Sequence, residues 1–260
     1  MSITVMSWNI DGLDKDKWDY IKRNYLVDVL FLQETKRDAH ALSELFKDVK
    51  DQYNWIINSH SPSLYHGVAV LIKKEIKYEQ VDFKLGCKAR DDTKKGNGPE
   101  CGRVICIKIG EVLIINTYVP YSGTHLQRLH YRTEEWDKHL FNKLNTLSKV
   151  IWLGDINVAP ENIDVSHPKT LCKRSGFTNQ ERQSLADFLK TGWTDVWRQQ
   201  HPGIRKYSFR GYNNYRYRWR LDNCIVSNNA LSHVTRAFIV NESECLANTD
   251  HLPIGIVLST

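Results

Sequence analysis

The chain has 260 residues, 41% of them hydrophobic, enough to bury one full-size core, and no linker divides it, so a single domain over 1–260 is expected. The opening MSITVMSWNI lacks the basic start and cleavage site of a secretion signal, and no apolar run approaches the ~20 residues needed to cross a bilayer. A net charge of +6 permits a polyanionic partner without requiring one, so the expectation is a soluble intracellular protein, nuclear or cytoplasmic, and no membrane partner. The sequence enters its first apolar run at once, so no long N-terminal extension is expected. The six cysteines (Cys87, Cys101, Cys106, Cys172, Cys224, Cys245) form no CxxC or finger-like spacing and read as reduced thiols.

Taken in chain order, ITVMSW, VDVLFL, GVAVLI, RVICIKI, VLIINTYV, KVIWLG, RLDNCIV and LPIGIVL are short, β-branched and apolar, which predicts strands. Amphipathic helices fall between them. One carries Leu42, Leu45, Phe46 and Val49; a longer one is expected over about 125 to 147 with Leu126, Leu129, Trp136, Leu140, Leu144 and Leu147; a third carries Leu185, Phe188 and Leu189. Many strands with few helices argue for an α/β sandwich rather than strict βαβ alternation. The stretch from Gly86 to Gly102 is polar and glycine-rich and reads as an exposed loop.

Several strands end in residues that metal and phosphate chemistry uses. Asn9 and Asp11 follow the first, Glu34 the second, Tyr118 ends another, Asp155 and Asn157 follow KVIWLG, and Asp250 and His251 precede the last. One polar strand end is an ordinary turn. Five in one chain, if they meet along one edge, gather mutually repelling carboxylates with two amides, a phenol and an imidazole. A hard cation such as Mg2+ relieves that repulsion, and a histidine beside an aspartate suits acid/base work or stabilisation of an anion. From Arg205 to Arg220 the sequence RKYSFRGYNNYRYRWR holds six Lys or Arg, six aromatics and no acid, a combination that can neutralise phosphates and stack on bases. The plainer reading is a surface hairpin with solvated arginines.

The motifs WNIDGL, LQETK, Tyr118-Val119-Pro120, GDINVAP, the Pro168-Lys169 pair, GFTNQERQ, WRLD and a closing Asp-His-x-Pro occur in the order seen in the exonuclease III and apurinic/apyrimidinic endonuclease family, part of the endonuclease/exonuclease/phosphatase superfamily. The chain resembles that family over nearly its whole length. The resemblance implies a four-layer α/β sandwich of two packed mixed β-sheets flanked by helices. It also implies Mg2+-dependent hydrolysis of duplex DNA 5′ to an abasic site, with Mn2+ an admissible substitute, damaged 3′ ends as further substrates and a monomeric enzyme.

Carried over residue by residue, the metal residues are Asp11, Glu34, Asp250 and Asn9, supported by Lys36. Asp155 orients or deprotonates water, Asn157 places the phosphate, Asp222 holds His251, and Tyr118 contacts the phosphate or leaving oxygen. Phe209, Trp219 and Leu221 match an apolar pocket for a flipped-out abasic sugar, with Arg210, Tyr212, Arg216 and Arg218 toward DNA. The chain departs from the family's pattern at Arg210, where a second aromatic is frequent, at Asp14, where animal members have a cation, and at Tyr121 and Thr124, which replace an amide and an arginine. Asp14 also resembles the opening of the 5′-tyrosyl-DNA phosphodiesterase branch, the nearest rival; a nucleic-acid-binding protein with weak or no catalysis is the alternative from another class.

Overall fold

The computed structural model describes residues 2–59, 64–86, 102–211, 216–244 and 249–259. Two six-stranded mixed sheets face each other. The first has the order β13 (Val234–Ile239), β14 (Ile254–Ser259), β1 (Ser2–Asn9), β2 (Val29–Gln33), β4 (Val68–Lys73), β3 (Tyr53–Asn58). The second runs β5 (Glu79–Val81), β6 (Val104–Ile109), β7 (Val112–Tyr118), β8 (Val150–Asp155), β12 (Asp222–Ser227), β9 (Trp193–Asp195). A two-residue hairpin, β10 (Phe209–Arg210) with β11 (Arg218–Trp219), stands apart.

The predicted strands formed as expected, because each is a near-continuous apolar run that only burial on both faces can satisfy. The edge strands β3 and β13 of the first sheet and β5 and β9 of the second are absent from the predicted set; they are short or broken by polar residues, as suits sheet edges. Val5, Val70, Ile114 and Leu153 belong to one buried cluster that joins the two sheets. Each such side chain contributes about 1.5–3 kcal/mol on burial.

Helices cover the outer faces. α1 (Lys15–Asn24) buries Trp18 and Ile21, and α2 (Ala39–Phe46) buries Leu42 and Phe46. On the other side α3 (Lys138–Asn145) and α5 (Asn179–Leu189) meet through stacked rings of Phe141 and Phe188, 4.2 Å apart. Two short helices, α4 (Pro168–Leu171) and α6 (Val196–Gln200), fill the connections. The four-layer sandwich expected from the sequence is therefore the fold.

One helix differs from expectation. The element placed over 125 to 147 begins later, because Leu126 has a left-handed backbone (φ 59°) and lies outside it, and Tyr131–Asp137 forms widened π-type turns before α3. Trp136, Leu140 and Leu144 are buried as predicted, while Leu126, Leu129 and Leu147 are only partly covered. Asp14, ambiguous in the sequence, is the N-cap of α1: its carboxylate accepts from the Lys17 N–H at 2.8 Å, a role worth about 1 kcal/mol. Most of the loop expected between Gly86 and Gly102 lies outside the described residues, as does Tyr212.

The topology places the strand ends. The centre of each sheet is a parallel pair, β1 with β2 and β7 with β8, in registers that align Asn9 with Gln33 and Tyr118 with Asp155. Antiparallel neighbours must start where these pairs finish: β12 begins with Asp222 opposite Asp155, and β14 begins opposite Ser7, directly after Asp250-His251-Leu252-Pro253. Both sheets thus deliver their polar ends to one edge.

Candidate active site

At that edge Asn9 is fully buried, and its amide nitrogen donates to Glu34 Oε1 (2.9 Å) and to Asp155 Oδ2 (3.0 Å), coupling the two sheets. Its oxygen accepts from the Asp11 N–H at 3.1 Å. Asp155 is held on its other side by the Asn157 N–H, 3.0 Å from Oδ1, and the Asn157 side chain donates to the Val119 carbonyl at 2.8 Å. His251 Nδ1 lies 2.7 Å from Asp222 Oδ2, and its Nε2 lies 3.9 Å from Asp155 Oδ2. Trp8 Nε1 donates to the His251 carbonyl at 3.0 Å, and the Asp222 N–H donates to Ser208 Oγ at 2.9 Å, so imidazole and carboxylate are both anchored.

The backbone is strained here. Among the described residues, seven non-glycine residues have positive φ, and four of them are Asp11 (46°), Glu34 (49°), Lys36 (52°) and Asn157 (51°). Surrounding hydrogen bonds impose the conformation: Gly12 N–H to the Glu34 carbonyl (2.7 Å), Thr35 N–H to Gly67 (3.0 Å) and Lys36 N–H to His66 (2.9 Å). Such strain persists where the neighbourhood over-determines it, and it clusters at functional sites.

Electrostatics divides the groups by task. Burial, with the nearby charges of Asp222 and Glu34, pushes Asp155 up to about 7 against the opposing effect of His251. Burial alone would lower His251, but the charge of Asp222 and then of Asp155 holds it well above the usual histidine value. Asp250 is raised by burial and by the charges of Asp11 and Glu34. Asp11 is lowered despite its burial, because the Lys36 ammonium pairs with it; the same ammonium lies 2.9 Å from Glu34 Oε2. Tyr118 is raised well above the usual phenol value by burial and then by the charge of Glu34, so its phenol stays protonated.

Lys36 bridges Asp11 and Glu34, and Asp250 is near enough for the charges of both to raise it; together they offer oxygen donors of the kind a hard divalent cation takes. Among the described residues the tightest metal-competent group is instead Asp155, Asp222 and His251, whose ligand atoms lie within 4.8 Å of one another. In that trio His251 Nδ1 is already engaged by Asp222 Oδ2.

The catalytic groups open into a cleft of about 510 Å3 whose lining runs from Glu34, Tyr118, Asp155, Asn157, Asp250 and His251 to Phe209, Trp219 and Leu221. Phe209 forms a β-bridge with His251, and the two rings lie 4.8 Å apart. Leu171 and Tyr217 complete the apolar wall, and sequence reasoning missed both. It also missed the buried Ser7, Gln33 and Asn116, which bond to one another beneath the site at 2.7–2.9 Å; an amide inside the apolar run VLIINT was the available signal. Arg103, whose guanidinium lies 4.9 Å from the Tyr118 ring centre and donates to the Tyr118 carbonyl, had no signal.

The basic stretch is only partly presented to solvent. Arg220 is fully buried on Asp164 and Asp195; Arg218 pairs with Glu242 at 2.8 Å; Arg210 donates to the Thr249 carbonyl at 2.6 Å and approaches Glu242 at 3.6 Å; Arg216 is exposed. Arg210, Arg218 and Arg220 thus brace the hairpin and the loop before His251.

Residues 6–244 match the model of the Endonuclease/Exonuclease/phosphatase family. A Dictyostelium discoideum protein described as DNA-(apurinic or apyrimidinic site) endonuclease is 35% identical, the alignment covering 98% of this chain and 70% of the relative. An exodeoxyribonuclease of Bacillus subtilis is 29% identical, with 98% and 99% covered. Among solved structures, an AP endonuclease from Archaeoglobus fulgidus superimposes with a TM-score of 0.81 at 25% identity, covering 99% of this chain and all of the other. The chain belongs to the Endonuclease/Exonuclease/phosphatase family. Its class is that of a hydrolytic nuclease. Among the described residues no helix is long and apolar enough to cross a membrane.

Proposed function

We propose that this chain is a DNA repair nuclease that hydrolyses the phosphodiester 5′ to an abasic site in duplex DNA, with Mg2+ as its metal and damaged 3′ ends as a second substrate class. The observation that carries this reading is the continuity of one cleft: the Asp155–His251 end opens directly onto the apolar wall of Phe209, Trp219 and Leu221. Such a wall accepts a flipped-out sugar and selects it by shape rather than by base readout. The names of the relatives, an abasic-site endonuclease and an exodeoxyribonuclease, support action at abasic sites and at DNA ends.

Asp155, near neutrality in its proton affinity and fixed by Asn9 and Asn157, accepts the proton of the attacking water. His251, kept charged by Asp222, presents Nε2 to the phosphate and stabilises the negative charge that grows there. The Asn157 amide and the protonated Tyr118 hydroxyl line the same cleft and orient phosphate and leaving oxygens. Glu34, Asp11 and Asp250 would hold the cation, which when bound polarises a phosphoryl oxygen.

The test is incision of a labelled duplex carrying one abasic site, beside intact duplex, RNA and a 5′-tyrosyl end. We expect a single cut 5′ to the abasic site. Preferential release of tyrosine would overturn the reading.

A further inference from the structure

We infer that Arg174 is the phosphate-gripping residue of the substrate strand, a positioning side chain on the rim of the cleft; this rests on the DNA reading above. The substrate is a polyanion, yet the charged lining of the cleft is dominated by Glu34, Asp155 and Asp250, with His251 engaged by Asp222. Among the described residues lining the cleft, Arg174 is the one Lys or Arg.

Its guanidinium makes no hydrogen bond or ion pair with another described residue, and the residue is exposed on the turn between α4 and α5. Two cations of the basic stretch behave differently: Arg218 and Arg220 are committed to Glu242 and Asp164 inside the protein. The turn beneath Arg174 is firm. Its N–H donates to the Leu171 carbonyl at 2.8 Å, and its own carbonyl accepts from Phe177 at 3.0 Å. The neighbouring Ser175 Oγ accepts from the Ser122 N–H at 3.2 Å, and the buried Glu181 accepts from Ser122 Oγ at 2.5 Å and from the Gly176 N–H at 3.1 Å.

A rigid turn carrying an uncommitted guanidinium is suited to fork onto two non-bridging phosphate oxygens. Glu34, Asp155 and Asp250 repel the strand and Arg174 attracts it, which favours a backbone path that passes Arg174 along the apolar wall. Tyr121, on the same rim, exposes a ring braced by Arg128, whose Nε donates to the Tyr121 carbonyl at 2.9 Å.

The experiment measures the dissociation constant for a duplex bearing an abasic analogue, with chelator present, by fluorescence anisotropy between about 50 and 200 mM salt. The proteins compared are the wild type, Arg174→Ala, Arg174→Lys and Lys173→Ala, which removes the same charge from an exposed neighbour outside the cleft. Arg174→Ala should weaken binding about tenfold and reduce the slope of log K against log salt by about 0.9, the value of one lost phosphate contact. Arg174→Lys should recover part of both, since the point charge remains without the fork. Lys173→Ala should change neither. Equal effects of Arg174→Ala and Lys173→Ala, or an unchanged slope in Arg174→Ala, would overturn the proposal. Failure of the wild type to cut an abasic duplex would sink the nuclease reading instead, and is read in a separate incision assay.

Discussion

His251 and Asp222 share a buried 2.7 Å hydrogen bond between Nδ1 and Oδ2. It fixes the orientation of the ring: with Nδ1–H given to Asp222, the charged imidazole points its other nitrogen toward Asp155 and the cleft. Asp222→Asn keeps the shape but removes the charge that holds the proton on His251. Steady-state kinetics should show kcat lowered by about 10² or more with KM changed little, since the loss falls on charge developed in the transition state. An unchanged kcat would remove His251 from the chemistry.

Metal dependence should be visible without turnover. Because Asp11, Glu34 and Asp250 repel one another in the folded chain, a divalent cation that binds only this state raises the melting temperature through mass action. Mg2+ should therefore stabilise the wild type and stabilise Glu34→Gln much less, as read by scanning calorimetry with and without chelator. Equal shifts in the two proteins would place the cation elsewhere.

Acid stability should depend on a buried group outside the cleft lining. Asp164 is buried against Arg220 and Arg198, and although burial would raise it, these cations hold its carboxyl below the usual carboxylate range. A lowered folded value means the stabilisation is complete above the unfolded value of about 3.9 and is lost as pH falls through the folded value. Asp164→Asn should destabilise the protein at neutral pH by about 3 kcal/mol or more, leaving Arg220 buried with less compensation, and should flatten the loss of stability below about pH 4. Urea titrations from neutral to acid pH decide this; parallel curves for the two proteins would count against it.

Gly154 is required by the backbone just before Asp155. It sits at φ 137°, and a Cβ there would lie 2.2 Å from the Thr117 carbonyl oxygen on the adjacent strand. Gly154→Ala should lower stability by about 2–3 kcal/mol, roughly 4–6 °C for a domain of this size, and disturb Tyr118 and Asp155, which are paired in register. A melting curve matching the wild type would show that the strand pair can yield.

Most of the architecture was legible because each central strand is an apolar run too short for a helix, and the polar residues at the ends of those runs marked the edge where chemistry collects. Edge strands β3 and β13 were hidden, since half-solvated strands carry polar residues that break the pattern. Leu126 shows why a helical spacing of leucines overreached: its left-handed backbone is a local solution no periodicity reports. The site residues came from the resemblance as much as from chemistry, and the structure brings Asn9, Glu34, Asp155, Asp222 and His251 within hydrogen-bonding or ion-pair reach. Arg210 and Arg218 were less legible: a run of cations says nothing about which of them finds Glu242.

The decisive measurement maps the cut in a duplex with one abasic site, using the wild type and Asp155→Asn in Mg2+ and in chelator. The abasic-nuclease reading predicts one product with a 3′-hydroxyl directly 5′ to the abasic sugar, formed by the wild type in Mg2+, with Asp155→Asn slower by about 10³ or more and nothing formed in chelator. Cleavage in chelator at the Mg2+ rate, or full activity in Asp155→Asn, would contradict it.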